Sequence, residues 1–377
     1  MENFKLTEQD VQILLSRFKT PFLVVSLEKI EENYRFLRQF LPRVQVCYAM
    51  KANSTTAILR RMASLGSHFD VASAGEMRQL HELGIVNSRM IYANTVKDFE
   101  GLETAKHLHV RRFTFDDISE VSKMARYVPG ANVLVRIRVH NSGALVDLNS
   151  KFGAEPDEAL ALLQAAGQAG LKPVGICFHV GSQTVNPSAY IEALNVCRGL
   201  FDAAESMGMH LTDLDIGGGF PIPLTNGTDP DVGQMLSGIN EMLDHLFPDT
   251  AIWCEPGRFI CGTAVNLVAS VIGTKNRGGK PWYILNEGIY GAFSGILFDH
   301  WTYPITCFAS GDRIPSIVAG PSCDGIDVLY RDIPLPRLEV GDPVLFTDIG
   351  AYSTASATHF NGFPVSRTVI WETEKDF

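Results

Sequence analysis

The sequence predicts an α/β chain, with an N-terminal (β/α)8 barrel followed by an all-β domain. Three observations carry this. Short apolar runs alternate with amphipathic helical stretches from about residue 28 to 260. After Gly262 the helical period gives way to short β-rich segments broken by Gly and Pro. One further apolar run, Pro21–Val25, precedes the alternation and is available to the second domain. Strand–helix alternation implies parallel strands joined by right-handed crossovers. Eight such units suit a closed barrel, with an open doubly wound sheet as the alternative. A chain of 377 residues exceeds one ordinary core, so two domains are expected. They are residues 27–260 for the barrel and 1–26 plus 261–377 for the β-domain.

The expected barrel strands are Val44–Met50, His68–Val71, Met90–Ala93, Arg112–Phe115, Val133–Val139, Val174–Val180, Leu211–Ile216 and Ala251–Cys254. Helices are expected at Thr55–Leu65, Ala74–Leu83, Pro156–Ala169 and Tyr190–Met207. The second carries an apolar stripe through Met77, Leu80 and Leu83, and Gly84 stops it. Pro221–Pro230 reads as a turn-rich loop. The later strands are expected at Val265–Gly273, Trp282–Asn286, Ile305–Ala309, Pro343–Thr347 and Val365–Trp371.

Composition narrows the class. Apolar residues make up 46% and the net charge is −10, so no basic surface invites nucleic acid. The seven cysteines are scattered, odd in number and form no C-x-x-C pair. A disulfide framework and a zinc site are therefore not expected, and a reducing, cytoplasmic location is. The polar start MENFKLTEQD has no apolar signal core. The longest apolar stretch, near Ala264–Ile272, is too short to cross a bilayer. Neither a membrane nor a metal is expected as a partner.

In parallel barrels the reacting groups sit at the C-terminal ends of strands. The polar residues there are Lys51, Asp70, Asn94, Arg136, His179, Gly217–Gly219, Glu255 and Arg258. Lys51 ends a packed apolar strand, where desolvation favours a neutral, nucleophilic amine; a lysine snorkelling to solvent looks the same in sequence. The run D-I-G-G-G-F-P offers a backbone concavity for phosphate, or a plain tight turn. E-P-G-R places a carboxylate and an arginine after the eighth strand, suited to a protonated heteroaromatic nitrogen and a phosphate, or to an ion-paired turn. His179 can stack on a flat ring with Ser182 near a phosphate oxygen, or be a satisfied core histidine. C-D-G-I-D, Cys323–Asp327, is a thiol beside carboxylates or an acidic glycine turn. Singly each has an ordinary explanation. Jointly they are the parts of a pyridoxal phosphate site.

These residues fall in ordered blocks over nearly the whole chain: Y-A-M-K-A-N at 48–53, F-D-V-A-S at 69–73, V-R-I at 135–137, F-H-V-G-S at 178–182, D-I-G-G-G-F-P at 215–221, E-P-G-R at 255–258, Y-G-A-F at 290–293, F-D-H at 298–300, G-P-S-C-D-G-I-D at 320–327, G-A-Y at 350–352 and F-N-G-F at 360–363. In them the chain resembles the alanine-racemase-fold (fold type III) decarboxylases, specifically the eukaryotic-type ornithine decarboxylases and bacterial lysine/ornithine decarboxylases. The resemblance implies a β-domain that includes the first strand, and a head-to-tail homodimer with shared active sites. It implies pyridoxal 5'-phosphate bound covalently by Lys51, with Asp70 and Arg136 nearby and Glu76 supporting the lysine. His179 would stack on the ring and Glu255 pair with its nitrogen. Ser182, Gly217, Gly218, Gly219, Gly257, Arg258 and Tyr352 would take the phosphate. Cys323, from the neighbouring subunit, would protonate the substrate carbon. Asp324, also the neighbour's, and Asp299 would grip the distal ammonium, with Tyr290 and Phe360 lining the site.

The implied reaction is decarboxylation of L-ornithine or L-lysine to putrescine or cadaverine, a step of polyamine biosynthesis. Alanine racemase has no need of C-D-G-I-D. Diaminopimelate decarboxylase would carry C-E-S and an extra arginine for its substrate's second carboxylate. A non-catalytic regulatory homologue would have lost cofactor residues, and here Lys51, Glu255, Arg258 and Cys323 all stand. One methylene is worth on the order of 1–3 kcal/mol of discrimination, and no residue fixes pocket depth, so use of both substrates is expected.

Overall fold

The computed structural model describes residues 2–139, 150–223 and 231–375. Most of the expected loop Pro221–Pro230, from 224 on, lies outside the described residues. Two compact units result. One takes in the chain up to Asn33 and from Ile260 onward; the other runs Tyr34–Pro223 and ends at Phe259.

The chain opens with helix α1 (Glu8–Leu15), strand β1 (Phe22–Val25) and helix α2 (Leu27–Phe40). A Thr7/Asp10 capping box starts α1. The strand–helix alternation then builds β2 (Gln45–Ala49), α3 (Thr56–Ser64), β3 (His68–Val71), α4 (Ala74–Glu82), β4 (Met90–Tyr92), α5 (Phe99–His107), β5 (Arg112–Phe115), α6 (Ile118–Tyr127), β6 (Asn132–Arg136), α7 (Ala159–Gln168), β7 (Lys172–Cys177), α8 (Ser188–Ser206), β8 (Asp213–Asp215), α9 (Val232–Leu246) and β9 (Ala251–Cys254). Strands β2–β9 form a closed parallel barrel, sealed where Gln45 and Val46 pair with Trp253 and Cys254. The open-sheet alternative is thereby excluded. Side-chain caps start the helices where the sequence offers them, as at Ser73 for α4 and Asp98 for α5.

The N-terminal end of the barrel interior is closed by a polar plug. Asp213 accepts hydrogen bonds from Arg112 and from Trp253 Nε1, and the Arg112 guanidinium lies 4.3 Å above the Trp253 ring. Polar groups at this end bear on stability, whereas those at the opposite mouth bear on chemistry.

The remaining elements are helix α10 (Arg258–Cys261), β10 (Val265–Arg277), β11 (Lys280–Leu285), helix α11 (Gly295–Phe298), β12 (Ile305–Cys307), β13 (Ile314–Ala319), β14 (Val328–Leu335), β15 (Pro343–Phe346) and β16 (Arg367–Ile370). The sheet runs β12-β15-β10-β11-β13-β14, and β1 joins it between β10 and β16. All of β1 is buried, so the opening strand belongs to the β-domain. Strands β13 and β14 are absent from the sequence expectation. Proline argues against a strand interior, and here Pro315 and Pro334 sit opposite each other on the outermost pair of the sheet. Among the described residues no helix is long and apolar enough to cross a membrane.

Candidate active site

Lys51 lies just past β2 in a short 3-10 turn, Met50–Ala52. Its Nζ donates to Asp70 Oδ2 at 2.7 Å. The register explains the pairing: Ala49 sits opposite Asp70 across β2 and β3, so the next turn of chain brings the amine back over the carboxylate. Of the two readings the sequence leaves open, a desolvated amine or one that reaches solvent, the second describes the side chain: Lys51 is 48% exposed and ion-paired. The strand end opens at the mouth of the barrel, and the buried partner is Asp70, with 2% exposure.

Glu76, in the first turn of α4, accepts from the Ala72 N–H at 2.6 Å. Burial raises its carboxyl from 4.5 to about 7, helped by Asp70 and opposed by the Ala72 N–H and by Lys51. Its folded pKa exceeds its unfolded one. The protonated carboxyl therefore contributes stability below 4.5 that is lost as pH rises through about 7. Glu76→Gln is expected to remove that loss, so urea unfolding below and above this window should show a smaller fall in the variant. Equal falls in both proteins contradict the assignment.

Asp215 ends β8 fully buried, and its Oδ1 accepts from Gly217 N–H at 2.8 Å. Glu255 follows β9, and its N–H donates to Gly217 O at 2.8 Å. Each of the two carboxyls bears on the other's charge. Burial, then the neighbouring Asp215 and Asp70, hold Glu255 well above the usual carboxylate range; Lys51 and Arg136 oppose this. Burial likewise pushes Asp215 up to about 6. Two acids in one dry place cannot both ionise cheaply.

His179 lies in the loop after β7, since that strand ends at Cys177 instead of continuing to Val180. Its Nδ1 accepts from Gly181 N–H at 2.9 Å, which leaves a neutral ring's proton on Nε2. Burial, followed by Arg136 and Lys51, holds the imidazole well below its usual range, so the ring is uncharged. Gly217 and Gly219 have φ of 65° and 100°. A Cβ on Gly217 would lie 2.3 Å from Phe178 O, and one on Gly219 would lie 2.1 Å from Gly181 O. Only glycine lets this turn pack against the His179 loop. From behind, Tyr190 Oη donates to Gly218 O at 2.9 Å. Gly257 packs closely over Ala52 and Ala49, and Arg258 is 6% exposed. Ser182 is half-buried just beyond Gly181. The barrel thus gathers Lys51, Asp70, Glu76, Arg136, His179 and Glu255 with the glycine turn at its C-terminal mouth.

The β-domain carries the other expected residues. Tyr290 Oη donates to Asp324 Oδ2, and its ring stacks on Phe360 with centroids 4.1 Å apart. Donation from Tyr290, then from Ile326 N–H, holds the Asp324 carboxyl below its usual range. Both rings border a cavity of about 180 Å³. Cys323 is exposed, with its thiol 3.3 Å from Asn361 Oδ1. Asp299 closes α11, and the Tyr352 carbonyl accepts from Ser294 Oγ at 3.0 Å. Sequence reasoning gave no role to Asp215 or Asn361. The first is the leading residue of D-I-G-G-G-F-P, and the second a polar residue inside F-N-G-F.

The family model described as pyridoxal-dependent decarboxylase, pyridoxal binding domain, matches residues 27–262. The chain is 63% identical over 377 residues to a lysine/ornithine decarboxylase of Selenomonas ruminantium, covering 100% of this chain and 96% of that one. It is similar to the crystal structure of SrLDC in complex with PLP and cadaverine, at a TM-score of 0.96 and 61% identity, covering 100% and 97% of the two chains. It is also similar to a Vibrio vulnificus lysine/ornithine decarboxylase complexed with cadaverine, at a TM-score of 0.91 and 35% identity, covering 97% and 99%. A barrel with a lysine and paired acids at its mouth, a β-domain that includes the first strand, and likeness along its full length lead to one conclusion: this chain belongs to the pyridoxal-dependent decarboxylases.

Proposed function

We propose that this chain is a pyridoxal-phosphate-dependent decarboxylase acting on L-lysine and L-ornithine, leaving cadaverine and putrescine. The observation that carries the reading is the half-exposed Lys51 amine at the barrel mouth, bonded to Asp70 and within the electrostatic reach of Glu255 and His179. The barrel residues fit the cofactor. Arg136 Nη2 is buried with no hydrogen-bond partner among the described residues, which leaves a cationic donor for an acceptor from outside the chain. Bound there, pyridoxal phosphate supplies an electron sink for the pair left behind when carbon dioxide departs.

In this reading Lys51 holds the cofactor covalently and Glu255 keeps a proton on the ring nitrogen. His179 presents an uncharged face to the ring. Ser182, the turn Gly217–Gly219, Gly257, Arg258 and Tyr352 take the phosphate, while Asp70 and Arg136 flank the site. Asp324, kept anionic by Tyr290, suits a distal ammonium, with Asp299 as the second carboxylate and Tyr290 and Phe360 as walls. Cys323 gives a proton to the substrate carbon. Cys323 and Asp324 act from the neighbouring subunit of a homodimer with shared sites. Seven free cysteines suit a reducing cytoplasm.

The test is steady-state carbon dioxide release from L-lysine, L-ornithine and meso-diaminopimelate with added pyridoxal phosphate. Turnover of both diamino monoacids is expected, with kcat/KM values within about 200-fold of each other, the range one methylene allows. A preference for meso-diaminopimelate, or no carbon dioxide from any of the three, overturns the reading.

A further inference from the structure

Three segments of the β-domain interlock around Cys323. One is the turn at 288–291, the second the loop 320–327, and the third the short helical turn Phe360–Gly362. The first and third are tied by Thr358 N–H and Oγ1, both donating to Tyr290 O, at 2.8 and 3.1 Å. The second is tied to the first where Ile289 N–H donates to Asp327 Oδ1 at 3.0 Å, and it meets the others at two further places. Tyr290 Oη donates to Asp324, while Asn361 Oδ1 accepts from Cys323 N–H at 3.1 Å and from the Cys323 thiol at 3.3 Å. An amide oxygen and nitrogen are easily interchanged, but the backbone N–H of Cys323 is only a donor. The atom facing it must therefore be the oxygen, and the thiol shares that acceptor.

Asn361 also has a backbone reason to be where it is. Its φ is 55° and its ψ 14°, left-handed values that asparagine and glycine tolerate better than other residues. The left-handed turn swings the side chain of a residue distant in sequence onto the loop bearing the thiol. Asp324 and Cys323 are adjacent, yet different residues orient them.

We propose that Asn361 is the positioning residue for the Cys323 thiol: its amide oxygen anchors the loop through the backbone N–H and fixes the direction of the S–H bond. The inference rests on the proposed role of Cys323 as proton donor. When that proton moves to the substrate carbon, the carbanion's electron pair forms the new C–H bond and the S–H pair stays on sulfur. A thiol that points elsewhere leaves substrate binding intact and slows this transfer. Asn361 thus governs the chemical step, while Tyr290, through Asp324, governs the grip on the distal ammonium.

The variant that tests this is Asn361→Gly, which keeps the left-handed turn and removes only the acceptor. Six of the seven cysteines are buried and Cys323 is exposed, so iodoacetamide on the holoenzyme, read by peptide mass, reports on this thiol. Loss of one hydrogen bond predicts alkylation about threefold to tenfold faster. Turnover should fall by about tenfold in kcat, with KM within about twofold, as for an interaction used only in the transition state. Asn361→Asp keeps an oxygen but sets an anion against the sulfur, and its Cys323 should alkylate more slowly than in the parent. Wild-type alkylation rates in Asn361→Gly overturn the proposal, as does a raised KM with unchanged kcat. Failure of the underlying reading looks different: Cys323→Ala would then keep full activity, whatever the alkylation rates of the Asn361 variants.

Discussion

Lys51→Ala is expected to lower turnover by at least about 10⁴-fold, because removing a covalent catalytic group leaves only binding and background electrostatics. The substitution also takes the cation away from Asp70, a carboxylate with 2% exposure, so lost activity and lost stability would be entangled in the alanine variant. Lys51→Arg separates them. Arginine keeps a positive charge over Asp70 but stays protonated at any working pH and forms no bond to an aldehyde. The arginine variant should melt near the parent temperature and be as inactive as the alanine variant. Borohydride added with pyridoxal phosphate should fix the cofactor mass on the peptide containing position 51 in the parent and on neither variant. Residual turnover near the parent level in Lys51→Arg, or a cofactor adduct elsewhere in the parent, rules out Lys51 as the attachment point.

What the sequence makes legible follows from the range of each interaction. Parallel barrel strands are buried on both faces and read as short apolar runs. That is why His68–Val71, Arg112–Phe115 and Ala251–Cys254 keep their expected limits. The chemistry at their ends was legible for the same reason, since a polar residue after such a run has nowhere to go but the mouth. The sequence extends β7 to Val180 because Phe178 and Val180 are apolar, yet the ladder stops at Cys177 and frees His179 to turn. Strands β13 and β14 were hidden by prolines that only an outer strand pair tolerates. The solvation of Lys51 stays open in the sequence, because exposure depends on how the mouth opens and not on the residues beside it. The Asp215–Glu255 contact and the Asn361–Cys323 contact join residues 40 and 38 positions apart in sequence. No periodicity encodes such a meeting. Both lie inside recognisable blocks, so the blocks gave the location without the geometry.

Glu255 is where stability and function are expected to oppose each other most sharply. In the chain alone it is a carboxyl forced toward its protonated form by burial and by Asp215 and Asp70, a costly arrangement of acids around one amine and one guanidinium. Glu255→Gln removes that conflict while preserving shape, so the cofactor-free variant should melt a few degrees above the cofactor-free parent, as about 1 kcal/mol of relief would give. The same change should reduce kcat by about 10²–10³-fold, the usual cost of losing one preorganised electrostatic partner of the reacting system. Affinity for pyridoxal phosphate should weaken far less, because Lys51 and the groups around the glycine turn are untouched. Glu255→Ala should show the same fall in turnover, and in that variant unchanged turnover removes the assigned role outright. The pairing of results is the informative part. A higher melting temperature with lost turnover marks a carboxylate kept for chemistry at the expense of the fold, whereas a lower melting temperature with retained turnover would make Glu255 a structural partner of Asp215 and nothing more.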